Sequence, residues 1–275
     1  MSSKTRGSIR KRRAVVAGIA VGALAAGLGV AGMAEAATTS HSPAKPTIVL
    51  VYGAFEDGSA WQGVTRRLQH DGYPVVVPAV PLRGVASDSA YVESIVDSIK
   101  GPVVLGGHSY GGMIVNEVAS QRPTQTKATV YIAAFEPRAG ESAGQLDAQF
   151  PGSLLGPDTT VAQAYPGGTD LYVKPESYRA LFAGDRSVAD AAVGAATQRP
   201  VDAAALAEPA AHTAPSSIPA YAIVATQDKG IPPAAERFMA KRAGAHTVEI
   251  RSAHDVPVTH PDAVAQVLEQ AARGR

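Results

Sequence analysis

The chemistry of the chain starts from a serine set between glycines, Gly107-His108-Ser109-Tyr110-Gly111. The pattern follows the apolar run PVVLG and precedes a helical stretch, the strand–turn–helix setting of a nucleophile elbow. The flanking glycines leave room for a tight turn. The start of the next helix favours negative charge developing on a bound carbonyl. A serine hydroxyl needs a base, and the base needs an orienting acid. His212, His246, His254 and His260 follow Ser109; His254 stands in a loop four residues past the run ending at Ile250 and is the expected base. Asp228, in the turn TQDKGIPP after AIVAT, is the expected acid. Glu136, directly after the run YIAAF, competes for that role, and Asp255 is expected to point elsewhere. His108 is expected to face away from Ser109 across the turn and to be structural. An oxyanion hole is expected from the backbone N–H groups of Tyr110 and Ala54, with Phe55 as the second choice to Ala54.

These groups have to be carried by strand ends. Apolar, β-branched runs at 47–53, 73–81, 101–107, 128–135, 218–226 and 246–250 read as strands. Amphipathic stretches at 59–70, 88–99, 110–121, 232–244 and 261–273 read as helices between them. Such alternation predicts an α/β fold, a mostly parallel sheet of about six strands with helices on both faces. The core is expected to comprise 47–135 and 218–273. Residues 136–217, rich in Pro, Gly and Ala, interrupt it and predict a mainly helical cap, with helical pieces near 159–165, 175–183, 186–196 and 201–207. Tyr52, Phe55, Trp61 and Phe135 are candidates for an apolar substrate pocket. Tyr110, Phe150, Tyr165, Tyr172 and Phe182 are further aromatics of which only a few are expected to line it.

Composition narrows the function. The 275 residues include no cysteine, which excludes a disulfide framework, a thiolate zinc site and a cysteine nucleophile. No HExxH or paired metal-ligand spacing occurs, and no phosphate-binding glycine loop opens the first strand, so neither metal nor cofactor is expected. The formal charge of +1 argues against nucleic-acid binding. Residues 1–36 combine a basic head with six Lys and Arg, an uncharged stretch from Ala14 to Ala34 and an Ala34-Glu35-Ala36 site, the pattern of an export signal. Arg12-Arg13 resembles a twin-arginine signal. Cleavage after Ala36 would leave a secreted chain of net charge −4, with 37–46 as a leader and no stable membrane association.

Five segments, VLVYGAFEDGSAWQGV (49–64), GHSYGG (107–112), VYIAAFEP (130–137), TQDKGIPP (226–233) and RSAHDVP (251–257), resemble the α/β-hydrolase superfamily. Within it they resemble the small-molecule esterase group of bacterial salicylate-ester and aryl-ester hydrolases, with plant methyl esterases and hydroxynitrile lyases as relatives. The resemblance implies Ser109, Asp228 and His254 as nucleophile, acid and base, Ala54 and Tyr110 as oxyanion donors, and a small-molecule ester as substrate. Tyr52 stands where that group usually has His. Hydroxynitrile lyases of the group carry Thr at the place of Gly53 and Lys at the place of Asp255, which speaks against cyanohydrin cleavage here. A cofactor-free haloperoxidase or perhydrolase using the same triad is the alternative, and a noncatalytic ligand-binding protein is less favoured.

Overall fold

The computed structural model describes residues 44–274. The expected export signal and residues 37–43 of the leader lie outside the described residues.

Six strands form one parallel sheet. In chain order these are β1 (Thr47–Val51), β2 (Val75–Val76), β3 (Val103–Ser109), β4 (Thr126–Ala134), a fifth (Ala220–Ala225) and a sixth (His246–Ile250). Helix α1 (Gln62–His70) follows β1, α2 (Val85–Ser98) follows β2, and α3 (Gly111–Gln121) follows β3. Residues 135–219 contribute α4 (Ala143–Ala148), β5 (Thr160–Tyr165), β6 (Gly168–Val173), α5 (Pro175–Leu181), α6 (Val188–Thr197), β7 (Val201–Asp202) and α7 (Ala203–Ala207). The fifth and sixth sheet strands are thus β8 and β9, followed by α8 (Pro233–Ala243) after β8, and α9 (Val256–Thr259) and α10 (Pro261–Arg273) after β9.

The sheet order is β2-β1-β3-β4-β8-β9. Every residue of β3 is buried, as a central strand covered on both faces must be. The two covering layers follow from the pleat. A Cβ added to Gly106 would meet Leu268 of α10, whereas one added to Gly107 would meet the backbone of Gly111 and Gly112 in α3. Successive strand residues face opposite ways, so α10 and α3 cover opposite faces. Because the strands are parallel, the loops after β1, β3, β4, β8 and β9 all emerge at one edge.

Two expectations are corrected. Only Val75–Val76 of the run 73–81 pairs as a strand; Pro74, Pro78 and Pro81 offer no N–H to a ladder. Residues 159–165 do not form a helix. Thr160–Tyr165 are β5, antiparallel to β6, which pairs in turn with β7. The hairpin register Tyr165↔Gly168 leaves Pro166-Gly167 as the turn, with Gly167 at φ +107°. Proline followed by a glycine of positive φ suits a tight turn better than a helix. The insertion therefore mixes a small sheet with helices. Helix α4 was not foreseen from the sequence; Ser142 and Gln145 close a capping box at its start.

Candidate active site

Ser109 ends β3 with φ +53°, a left-handed conformation that an L side chain adopts only under constraint. The constraint is the tight seating of α3. A Cβ on Gly111 would lie 2.4 Å from the Val51 carbonyl oxygen, and one on Gly112 would lie 2.1 Å from that of Phe135. Only glycine lets the helix start wedge between the ends of β1 and β4. Phe135 N–H then donates to the Ser109 carbonyl at 3.2 Å and holds the turn from the other side.

Asp228 and His254 meet across the ends of β8 and β9. His254 Nδ1 lies 2.5 Å from Asp228 Oδ2, with both side chains buried. Asp228 Oδ1 accepts N–H bonds from Gly230 at 2.6 Å and Ile231 at 2.9 Å. One carboxylate oxygen is thus held by backbone while the other orients the imidazole. With Nδ1–H directed at a carboxylate, Nε2 is left as the acceptor. The other histidines lie elsewhere: His212 on Glu117 at 2.8 Å, His260 on Thr259 at 2.9 Å, and His246 against the ring of Tyr221.

Glu136 is not brought to His254. It borders a separate cavity with Tyr131, Asn116 and Arg242. Burial pushes its carboxyl up to about 8, against the pull of Arg242. Asp255 also turns away from its neighbour and pairs with Arg186 at 2.9 Å.

Ser109, His254, Ala54 and Tyr110 line one cavity, together with Phe55, Phe135, Leu155, Phe182, Leu206, Gly230 and Ile231. The expected nucleophile, base and oxyanion residues therefore share a wall. The space itself is about 20 Å³, room for one water. Phe135, Leu155 and Leu206 also border a chamber of about 670 Å³, otherwise lined by Asp147 and by small and apolar residues of the insertion, mainly from α4, β5 and β6. These three residues thus line both the Ser109 cavity and a much larger apolar one.

Of the expected pocket residues, Phe55 and Phe135 take that place and Tyr52 and Trp61 do not. The Tyr52 hydroxyl donates to the Val80 carbonyl at 2.8 Å and accepts from Arg199 at 3.3 Å. Burial lifts its pKa to about 12. Trp61 is fully buried and sets its ring edge-on to His108. Large aromatics next to a sheet edge serve the core as readily as a pocket, and the sequence does not distinguish the two. Phe182 and Tyr110 do reach the cavity.

Other contacts had no signal in the sequence. The segment 182–186 of the insertion grips the loop that carries His254. Asp185 accepts from Ser252 Oγ at 2.9 Å and from Ala253 N–H at 3.1 Å, and the Phe182 carbonyl accepts from Asp255 N–H at 3.0 Å. The Phe182 ring lies 5.1 Å from that of His254. On the acid side, buried Glu236 accepts the Ala225 N–H at 3.0 Å. Burial first, and then the charge of Asp228, keep its carboxyl well above the usual range.

The profile of a family described as "Alpha/beta hydrolase family" matches residues 48–267. An alpha/beta hydrolase of Aspergillus novofumigatus is 26% identical over 250 residues, which are 83% of this chain and 97% of that protein. A carbendazim hydrolyzing esterase of a Nocardioides strain is 29% identical over 106 residues, 34% of this chain and 44% of that one. The solved structure of polyneuridine aldehyde esterase aligns with a TM-score of 0.70 at 20% identity, over 82% of this chain and 98% of its own; at that identity the likeness is one of fold.

Proposed function

Because the chain belongs to the alpha/beta hydrolase family, we propose that it is a serine esterase that cleaves carboxylic esters of small apolar or aromatic molecules through an acyl-enzyme. The observation that carries this reading is the strained Ser109 on one cavity wall with His254, whose other nitrogen is bound by Asp228. In this reading His254 Nε2 takes the Ser109 proton as the hydroxyl attacks the ester carbonyl. Asp228 stabilises the imidazolium that forms. The N–H groups of Ala54 and Tyr110 hold the oxyanion, and His254 returns the proton to the departing alcohol. Water repeats the cycle on the acyl-enzyme. The named esterases among the related proteins support the reaction class.

The neighbouring chamber supports the substrate class. Its volume falls within the range of small-molecule sites, and its lining suits an alkyl or aryl group. Phe135, Leu155 and Leu206 border both spaces, so the path from Ser109 into it runs past them. A series of p-nitrophenyl esters of increasing acyl length, with an aryl member, tests both parts. Each methylene seated in the chamber contributes about 0.8 kcal/mol, or up to roughly fourfold in kcat/KM. A series that falls steadily with length would remove the chamber from the site. Absence of p-nitrophenol release from every member would overturn the esterase reading.

Tyr52 acts through packing in this reading. Tyr52→Phe leaves the Val80 carbonyl without its donor and is expected to lower stability by about 1 kcal/mol. kcat should stay within about twofold of wild type. Urea unfolding and ester turnover measure the two effects; a kcat loss without a stability loss would place the hydroxyl in the reaction.

A further inference from the structure

Behind the Ser109 cavity lies a second pair of titratable side chains that the mechanism above does not use. Glu56 sits in the loop after β1, two residues past Ala54. His108 precedes Ser109 at the end of β3. His108 Nδ1 lies 2.7 Å from Glu56 Oε2, and that same oxygen accepts the Gly53 N–H at 3.1 Å. On its other side, His108 Nε2 lies 2.9 Å from the His254 carbonyl oxygen. Both side chains are almost wholly buried. The His108 ring is 4.7 Å from that of His254 and stands nearly perpendicular to that of Trp61 at 6.4 Å.

Hydrogen-bond chemistry favours one protonation state. A carbonyl oxygen only accepts, so Nε2 carries a hydrogen. The Glu56 oxygen facing Nδ1 also accepts the Gly53 N–H, a role that suits a carboxylate better than a protonated carboxyl. The arrangement thus favours an imidazolium at His108 and a carboxylate at Glu56. The electrostatics agree: burial by itself would push His108 down, but the charge and hydrogen bond of Glu56 outweigh it and lift His108 to about 9. Glu56 moves the other way, because His108 overcomes the effect of burial on it.

We infer that Glu56 and His108 are positioning residues, an ionised clamp that fixes the loop offering the Ala54 N–H to the loop carrying His254. One end of the clamp holds Gly53, next to the oxyanion donor. The other holds the backbone of His254 itself. The two halves of the site come from strand ends about 200 residues apart in sequence, and small misplacements of reacting groups are costly. The pair also keeps the site balanced in charge. A lone cation beside His254 would oppose its protonation, and a lone carboxylate would favour it.

The kinetic arm of the test rests on the esterase reading; the spectroscopic arm does not. In 1H–15N spectra of the full-length protein at neutral pH, both ring nitrogens of His108 are expected to carry protons. In Glu56→Gln, which keeps an acceptor for Gly53, the ring should lose one of them. Kinetically, Glu56→Gln, His108→Asn and His108→Gln should each lower kcat about tenfold or more with little change in KM. The amide of Asn can reach only the Glu56 side and that of Gln only the His254 side, so each keeps half of the clamp. Glu56→Gln combined with His108→Gln should be no worse than the poorer single variant, because the residues act as a unit.

A merely structural pair would not move the pH profile. His108→Gln leaves Glu56 unpaired beside His254, so His254 should hold its proton to higher pH and the acid limb should rise by about one unit. Glu56→Gln should not raise it. The other titratable and charged groups around His254 stay the same in every variant: Asp228, with Glu236 beyond it, Asp255 with its partner Arg186, and Asp147. Fluorophosphonate labelling normalises each rate to folded enzyme, and Glu56→Gln carries the test if the His108 variants do not fold. A neutral His108 in the wild type overturns the clamp whatever the turnover. So do single-variant kcat values within about twofold of wild type, or losses that multiply in the double variant. A wild type that turns over no ester yet carries the His108 imidazolium overturns the esterase reading alone.

Discussion

Ser109→Ala is expected to lower kcat/KM for aryl esters by about 10⁴-fold or more and to abolish labelling by a fluorophosphonate. The removed oxygen is the proposed nucleophile, carried on the strained turn after β3. The backbone contacts that impose φ +53° involve Val51, Gly111, Gly112 and Phe135, and the substitution leaves them in place. Alanine meets the same left-handed turn that serine does, so stability should change by less than about 1 kcal/mol. Peptide mass spectrometry of the labelled wild type should find the adduct on Ser109. An adduct on another residue, or turnover that persists in the purified variant, would remove Ser109 from the chemistry.

Asp228→Asn should cost nearly as much, about 10⁴-fold in kcat, for a reason visible in its hydrogen bonds. Oδ1 accepts from Gly230 and Ile231, so the asparagine oxygen must stay there. Its NH2 group then faces His254 Nδ1 and forces that nitrogen to accept. The ring proton moves to Nε2, where the base needs a lone pair. Glu136→Gln should leave kcat within about twofold, because Glu136 borders a different cavity. Its effect should appear in stability instead. The Glu136 carboxyl ordinarily titrates near 4.5 and is held at about 8 in the fold. Between those values the folded chain keeps a proton that the unfolded chain has lost, so this residue makes stability fall as pH rises through that window. Glutamine removes that dependence, and urea unfolding at pH 5 and pH 8 should show a flatter profile in the variant. A large kcat loss in Glu136→Gln with little in Asp228→Asn would exchange the two roles.

In the sequence these two carboxylates are rivals because both follow a strand, but strand ends do not reveal which way a side chain leaves its loop. Phe135 turns into the Ser109 cavity, and its neighbour Glu136 goes to the other side, beside Arg242. The same limit applied to the aromatics. Tyr52 and Phe55 lie three residues apart on one loop, yet Tyr52 bonds Val80 while Phe55 faces the cavity. In the insertion, Pro166-Gly167 marked a hairpin that helical spacing in 159–165 concealed.

What the sequence by itself determined is the alternation of strands and helices and, through it, the meeting of Ser109, Asp228 and His254. The physical reason is that a parallel sheet delivers the loop after every strand to the same edge, so residues far apart in the chain converge once the strands are located. The glycines of the elbow were legible for a similar reason, since close backbone approach admits no other residue. Only the tertiary structure decided what surrounds that meeting point. The Glu56–His108 pair joins residues 52 apart, and Asp185 reaches Ser252 across 67 positions. Neither contact repeats, neither falls on a helical or strand period, and each depends on how loops of different elements pack. Local patterns specify where the chain turns; the side chains that then face one another are decided by the packing of the whole.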